Sequence, residues 1–323
     1  MRADAFDIHQ LVRAIAENDH AVPEGLDPEA LIPELADLLG SPDQIDRERS
    51  YEILELWSVR GHFSDGTLCA LGDRMAENLK HGIGETETDS VFVRSYAALV
   101  LCGPIAADEL WAEGALDGRK AFLSPERVRS WLACATESLQ AERDLRSFVD
   151  GKGWADAISH RGDLLQQFAR SPRTDAEGLE QILRAVADRL NRTSSKVFVH
   201  DEGGRLMRAV YSVLLRDELP LETLISWIEG FAQTADGRDW GFGSLFSLES
   251  CDHPAVNVRA NVREALRDLL FYIQLGPRRG RSEDDTMKLY YAFYDRPVPH
   301  RQELLEALDP VLRKLYAGLY PPV

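Results

Sequence analysis

Most of the signatures that identify an enzyme at sight are missing. The 323 residues contain no P-loop, no GxGxxG after a strand, no GxSxG elbow and no HExxH. That removes the common nucleotide-binding, serine-hydrolase and zinc-protease chemistries. Cysteine is scarce: Cys69, Cys102, Cys134 and Cys251 stand far apart and form no CxxC pair. Buried free thiols are therefore expected, rather than disulfides or a zinc site. No apolar run approaches the roughly 18 residues of a membrane span, and the opening MRADAFDIHQL has no hydrophobic signal core. A soluble, cytoplasmic chain is the expectation.

Positive charge is also short, with 37 Lys and Arg against 54 Asp and Glu and a net charge of −17. Such a surface repels polyanions, so neither nucleic acid nor a membrane is the expected partner. The one compact basic run, Arg278-Arg279-Gly280-Arg281, is cancelled at once by Glu283-Asp284-Asp285 and reads as a solvated loop.

What is present is helical spacing. Apolar residues recur at three and four positions almost throughout, and no convincing alternating strand appears. Asp27-Pro28-Glu29 and Ser124-Pro125-Glu126 read as helix starts. Helices are expected over 43–59, 64–80 and 90–101 (with Gly103-Pro104 as punctuation), then from Ser124, over 175–190 and 196–216, and over 254–275 and 302–316 (interrupted at Asp309-Pro310). The triplet Val91-Phe92-Val93 returns as Val197-Phe198-Val199, 106 residues later. The fold expected is all-α: one elongated domain over 1–323, an irregular HEAT/ARM-like α-solenoid of stacked helical hairpins. Pseudo-repeat halves at about 1–120 and 121–323 are compatible with it, and an α/α toroid is the alternative.

The chain is organised around Gly151–Ser171, GKGWADAISHRGDLLQQFARS, read as one helix. Trp154, Ala157, Ile158, Leu164, Leu165 and Phe168 cluster on its apolar face, while Asp156, His160 and Asp163 follow at i, i+4 and i+7. These are donor types for a divalent metal, or for general acid–base work by His160 and Asp163. The plainer reading is a groove ion pair or the polar side of an amphipathic helix. Asp201, Glu202, Arg205 and Arg208 form a second charged cluster, bland as intrahelical salt bridges, functional as carboxylates lining the same groove. Trp240, in the Gly-rich loop over 235–244, offers an aromatic surface or tucks onto the core.

On Gly153-Trp154-Ala155, His160, Asp163-Leu164-Leu165, Val197 to Glu202 and Arg205-Leu206, the chain resembles an uncharacterised bacterial family, the domain-of-unknown-function 2785 family. The likeness runs from Phe148 to Ser171 and from Val197 to Tyr211, and extends loosely to Leu266–Leu275. It implies a helical-repeat fold and no established activity. The position held here by Asp156 is often His in that pattern, and the departure weakens a strictly His-based metal reading.

Two functions follow as expectations. One is a helical binding or scaffold protein, whose polar groove of Trp154, Asp156, His160, Asp163, Asp201, Glu202, Arg205 and Trp240 takes a protein or peptide partner. The other is a hydrolase, metal-dependent or saccharide-directed, with catalytic candidates His160, Asp163 and Glu202 and metal-ligand candidates Asp156, His160 and Asp163. No cofactor is expected, and a small-molecule ligand stays open.

Overall fold

The structure, a computed structural model, describes residues 7–235, 253–276, 288 and 291–316. Cys251, the loop carrying Trp240 and the Arg278–Arg281 run lie outside the described residues. The chain is mostly helical: α1 (Ile8–Glu17), α2 (Ile32–Leu38), α3 (Gln44–Val59), α4 (Asp65–Asn78), α5 (Ser90–Ala112), α6 (Pro125–Ala141), α7 (Ala157–Arg170), α8 (Ala176–Asn191), α9 (Glu202–Arg216), α10 (Leu221–Gly230), α11 (Ala232–Ala235), α12 (His253–Leu275) and α13 (Arg301–Leu315). Asp43, Ser64, Ser124 and Asp175 start α3, α4, α6 and α8 by accepting an N–H of the first turn on their side chains.

Alternate helices lie side by side in the order α1, α3, α5, α7, α9, α12, α13, and α4, α6 and α8 pack against that row and one another. The core between them holds Trp57, Trp111, Trp131, Phe63 and Phe168, all essentially inaccessible. α5 is long and apolar enough to cross a bilayer by composition. Yet 78% of its most apolar stretch is buried inside the protein, against α3, α4 and α7, so its apolarity is that of a central core helix.

Several local expectations change. Gly103-Pro104 does not end α5, which continues to Ala112, and α13 likewise runs through Pro310. A helical proline costs about 3 kcal/mol, and tertiary packing outweighs that where Pro104 is buried on every side. The helix after Gly151 begins only at Ala157: Trp154 lies in a short antiparallel hairpin, Phe148–Val149 against Gly153–Trp154. The two VFV triplets are not equivalent. Val91 and Phe92 are buried in the first turn of α5, whereas 197–199 precedes α9, which begins only at Glu202 rather than at 196, and Val199 is 71% exposed. They therefore give no support to two related halves.

Charge is buried as well as grease. Glu142, just after α6, has no exposed side-chain surface. Its Oε2 accepts from Arg94 Nε at 2.7 Å and lies 3.2 Å from Arg161, both equally buried. Burial raises the Glu142 carboxyl, but Arg161 and Arg94 outweigh it and hold the group below the usual range. Its stabilising contribution is thus present at neutral pH and lost as pH falls through that lowered value. Glu142→Gln should cost about 3–5 kcal/mol in urea unfolding, because it strands buried guanidinium groups. Lys80→Ala, at an exposed pair with Glu137, should cost under about 1 kcal/mol.

Candidate functional site

The hairpin before α7 is seated by α3. Gly153 has φ +81°, and a Cβ there would stand 2.4 Å from the Gln44 side chain, so only glycine allows this turn to lie on the helix. Arg47 of α3 is fully buried, and the hydrogen bonds of its guanidinium go to backbone carbonyls. It donates to the carbonyls of Ser41 and Lys152 at 2.6 Å each, and its guanidinium lies 4.0 Å from the Phe92 ring centroid and 5.0 Å from that of Tyr96. Backbone dipoles and ring faces thus replace a counter-ion in holding the hairpin, and with it Trp154, against α3 and α5.

Beside Trp154 opens a cavity of about 470 Å³. Glu48, Tyr51 and Glu52 of α3 line it, with Tyr96 and Leu99 of α5, Trp154, Asp156 and His160 at the start of α7, and His200 and Arg205 at α9. Aromatic rings lie along its mouth: half-exposed Phe148 stands 5.1 Å from Trp154, and Trp154 stands 5.3 Å from exposed His200. On the inner side Tyr96 meets His160 edge to face at 5.2 Å.

The tautomer of His160 follows from Ser95. The Ser95 hydroxyl contacts both the Ala155 carbonyl oxygen and His160 Nδ1. Two oxygens in such contact must share a proton, so Ser95 donates to the carbonyl and His160 Nδ1–H donates to Ser95. Nε2 is left as an unprotonated acceptor. Burial, then the charges of Arg205 and Arg161, push the imidazole down to about 3, so the ring is neutral at physiological pH.

Asp156 precedes α7 in a left-handed conformation (φ 44°, ψ 37°) and makes no capping bond to its own helix. Its Oδ1 is buried without a hydrogen-bond partner. Burial and the neighbouring Glu202 charge raise this carboxyl to about 6. Asp163, one turn beyond His160, accepts from Arg205 at 2.7 Å. Burial raises Asp163 even against that pull. On α3, Glu55 is also raised by burial, and the Tyr51 phenol is pushed well up by burial and by Glu55.

The sequence candidates are thus divided. Trp154, Asp156, His160 and Arg205 line one cavity, with Asp163 bound to Arg205. Asp201 and Glu202 line a different one of about 310 Å³ toward α12. Glu202 spends both carboxylate oxygens, on Ser147 Oγ (2.6 Å) and on the His200 N–H (2.8 Å), so it does not pair with Arg205. The expected Asp201–Arg205 pair forms at 3.5 Å, beside Arg208 at 2.9 Å. Among the described residues no three His, Cys, Asp or Glu are grouped to hold a metal ion. The Asp156, His160, Asp163 stripe does not form such a group, and Asp163 is engaged by Arg205. A larger cavity of about 680 Å³, between α6 and α8, has its ionisable groups on an exposed rim, among them Arg143, Arg184 and Asp188.

Sequence reasoning missed Ser95, Tyr96, Arg47 and the whole α3 wall. The wall had a readable signal: Glu48, Tyr51, Glu52 and Glu55 recur at i, i+3, i+4 and i+7, another stripe of one helix face.

With this geometry in place, comparison with known proteins adds one finding. The family described as "Protein of unknown function (DUF2785)" matches residues 79–271, more than half of the chain. The chain belongs to that family. No curated protein and no solved structure matches it. The segment shared with the DUF2785 family carries Tyr96, Trp154, Asp156, His160, His200 and Arg205, while Glu48, Tyr51 and Glu52 come from outside it.

Two titrations check the site. Nitrogen-15 NMR should find His160 neutral, with the proton on Nδ1, down to about pH 4; an Nε2–H signal would contradict the Ser95 geometry. Asp156 has the opposite sign: a carboxyl raised from 3.8 to about 6 stabilises the fold when protonated and loses that contribution as pH rises through about 6. Asp156→Asn should therefore gain stability relative to the parent between pH 4 and 7, read by urea unfolding across that range.

Proposed function

We propose that the protein is a helical binding protein whose cavity between α3, α5, α7 and α9 receives a segment of a protein or peptide partner. The observation that carries this reading is the row of rings Phe148, Trp154 and His200, exposed at both ends and lying along the mouth of a polar cavity. A peptide laid along that row buries apolar surface outside and places one polar side chain inside, the usual division of labour in such sites. The side-by-side order of α3, α5, α7, α9 and α12, with α4, α6 and α8 behind, supports a stack of helical hairpins as the scaffold.

A second reading rests on one pairing. Asp156 holds its proton to about pH 6, while His160 stays neutral with Nε2 free. A proton donor and a proton acceptor on one cavity wall suit acid–base hydrolysis. Glu202, engaged on both oxygens, leaves that scheme.

Selection from a displayed peptide library, followed by calorimetry, separates the two readings. Binding should enrich a sequence class, and Trp154→Ala should weaken it by at least about tenfold, the loss of roughly 1.4 kcal/mol of ring contact. No enrichment, together with turnover of a hydrolase substrate that Asp156→Asn abolishes, would give the site to catalysis.

A further inference from the structure

Hydrogen-bonding capacity around the 470 Å³ cavity is lopsided. Asp156 Oδ1 is a buried acceptor with no partner, and His160 offers only the acceptor Nε2. Glu48 accepts a hydrogen bond from a neutral amide, Gln44 Nε2 at 2.7 Å. Glu52 is shared by Arg49 at 2.6 Å and His20 at 3.2 Å. The strong donor on the wall, Arg205, gives Nη1 to Asp163 at 2.7 Å, while its Nε is buried without a hydrogen bond, 3.5 Å from Asp201. Carboxylates and a neutral imidazole are left to be satisfied, with Tyr51, Tyr96 and Trp154 as walls.

The complement of such a cavity is a group that donates and never accepts. Ammonium and guanidinium ions have that character, gain charge-assisted bonds to carboxylates and are attracted to aromatic rings. We propose that this cavity binds the cationic head of an alkylguanidinium or alkylammonium ligand, held by Asp156, Glu48 and His160 Nε2. The inference rests on the binding reading above and names the chemistry of the inserted group. Two sources share it: a basic side chain on a peptide, or a free small amine.

Protonation supplies an internal control. Facing Asp156 are Glu202 and Arg205 from α9, His200 just before it and Tyr96 from α5. Burial and then Glu202 raise the carboxyl to about 6, and Arg205 and His200 oppose them. Acid thus removes one acceptor charge from the cavity, and cation binding should weaken as pH falls below about 6.

The test is titration of the full chain with agmatine, with an acetyl-Gly-Arg-Gly amide, and with the citrulline-containing counterpart of that peptide, followed by calorimetry and by the Trp154 and His160 NMR signals. The guanidinium probes should bind at least about tenfold more tightly than the citrulline peptide, the difference between a charge-assisted and a neutral hydrogen bond. Asp156→Asn and Glu48→Gln, each checked for a native circular dichroism spectrum, should each weaken them by a similar factor. Tighter binding of the arginine peptide than of agmatine assigns the source to a partner's side chain, and the reverse order assigns it to a free amine. Equal binding of arginine and citrulline peptides, or indifference to both substitutions, overturns the cation proposal while leaving the cavity a binding site. If neither cationic nor neutral probes move the Trp154 and His160 signals, the cation proposal and the peptide-binding reading fall together.

Discussion

The arrangement of this molecule depends on a charge that water never reaches. Glu142 ties Arg94 of α5 to Arg161 of α7, and Arg189 of α8 donates to the Glu142 carbonyl at 2.9 Å. Four segments from distant parts of the chain thus meet at one residue, with two guanidinium groups on its carboxylate and a third on its backbone carbonyl. Burying such ions costs several kcal/mol each, and only near-complete pairing offsets it. The helices therefore have little freedom to shift at this point, since movement would uncover an unpaired ion. The tie sets α5 against α7 close to their N-terminal turns, where Ser95 meets His160. A proton on a chosen ring nitrogen is held in place by a knot that never touches the cavity.

Left-handed backbone is the second constraint. Asp156 and Asp201 each begin a helix from that region, with φ 44° and φ 68°, and neither caps its own helix. An aspartate in an extended N-cap would spend its carboxylate on the first-turn N–H groups. Here both carboxylates are released: Asp201 toward Arg208 and Arg205, Asp156 into the cavity with one oxygen unsatisfied. Strain of this kind collects at binding and catalytic sites, and it explains why an acidic group stands where its desolvation is not compensated.

Much of this was legible beforehand. Ser124 was legible as the cap of α6, and the expected bounds at Asp43, Ser64 and Asp175 fall on the caps of α3, α4 and α8, because capping is a local contest between one side chain and one turn. The polar stripe of α7 was legible through its spacing. Its exposure was not: whether a stripe faces water or a cavity depends on the element opposite. The stripe of α3 had the same spacing and passed unnoticed for that reason, as did Ser95, which lies 65 positions from His160. Pro104 and the paired VFV triplets misled in opposite directions. Packing overrode a local breaker in the first case, and similar letters met different surroundings in the second. The family match supports membership over 79–271 and leaves the α3 wall to be understood from its own chemistry.

The near-contact of α7 with α9 has a mechanical consequence. A Cβ on Gly162 would stand 2.9 Å from the Arg205 backbone carbon, so the two helices touch almost chain to chain. Such a joint resists sliding, and the wall carrying Asp156, His160 and Arg205 moves as one body. Outside that joint, Trp154 of the hairpin and His200 of the non-helical stretch over 194–201 line the cavity. Under the proposed binding function, a ligand would meet an interior already in shape, with selectivity decided by fit against a stiff wall and speed of entry by the edge that gives way.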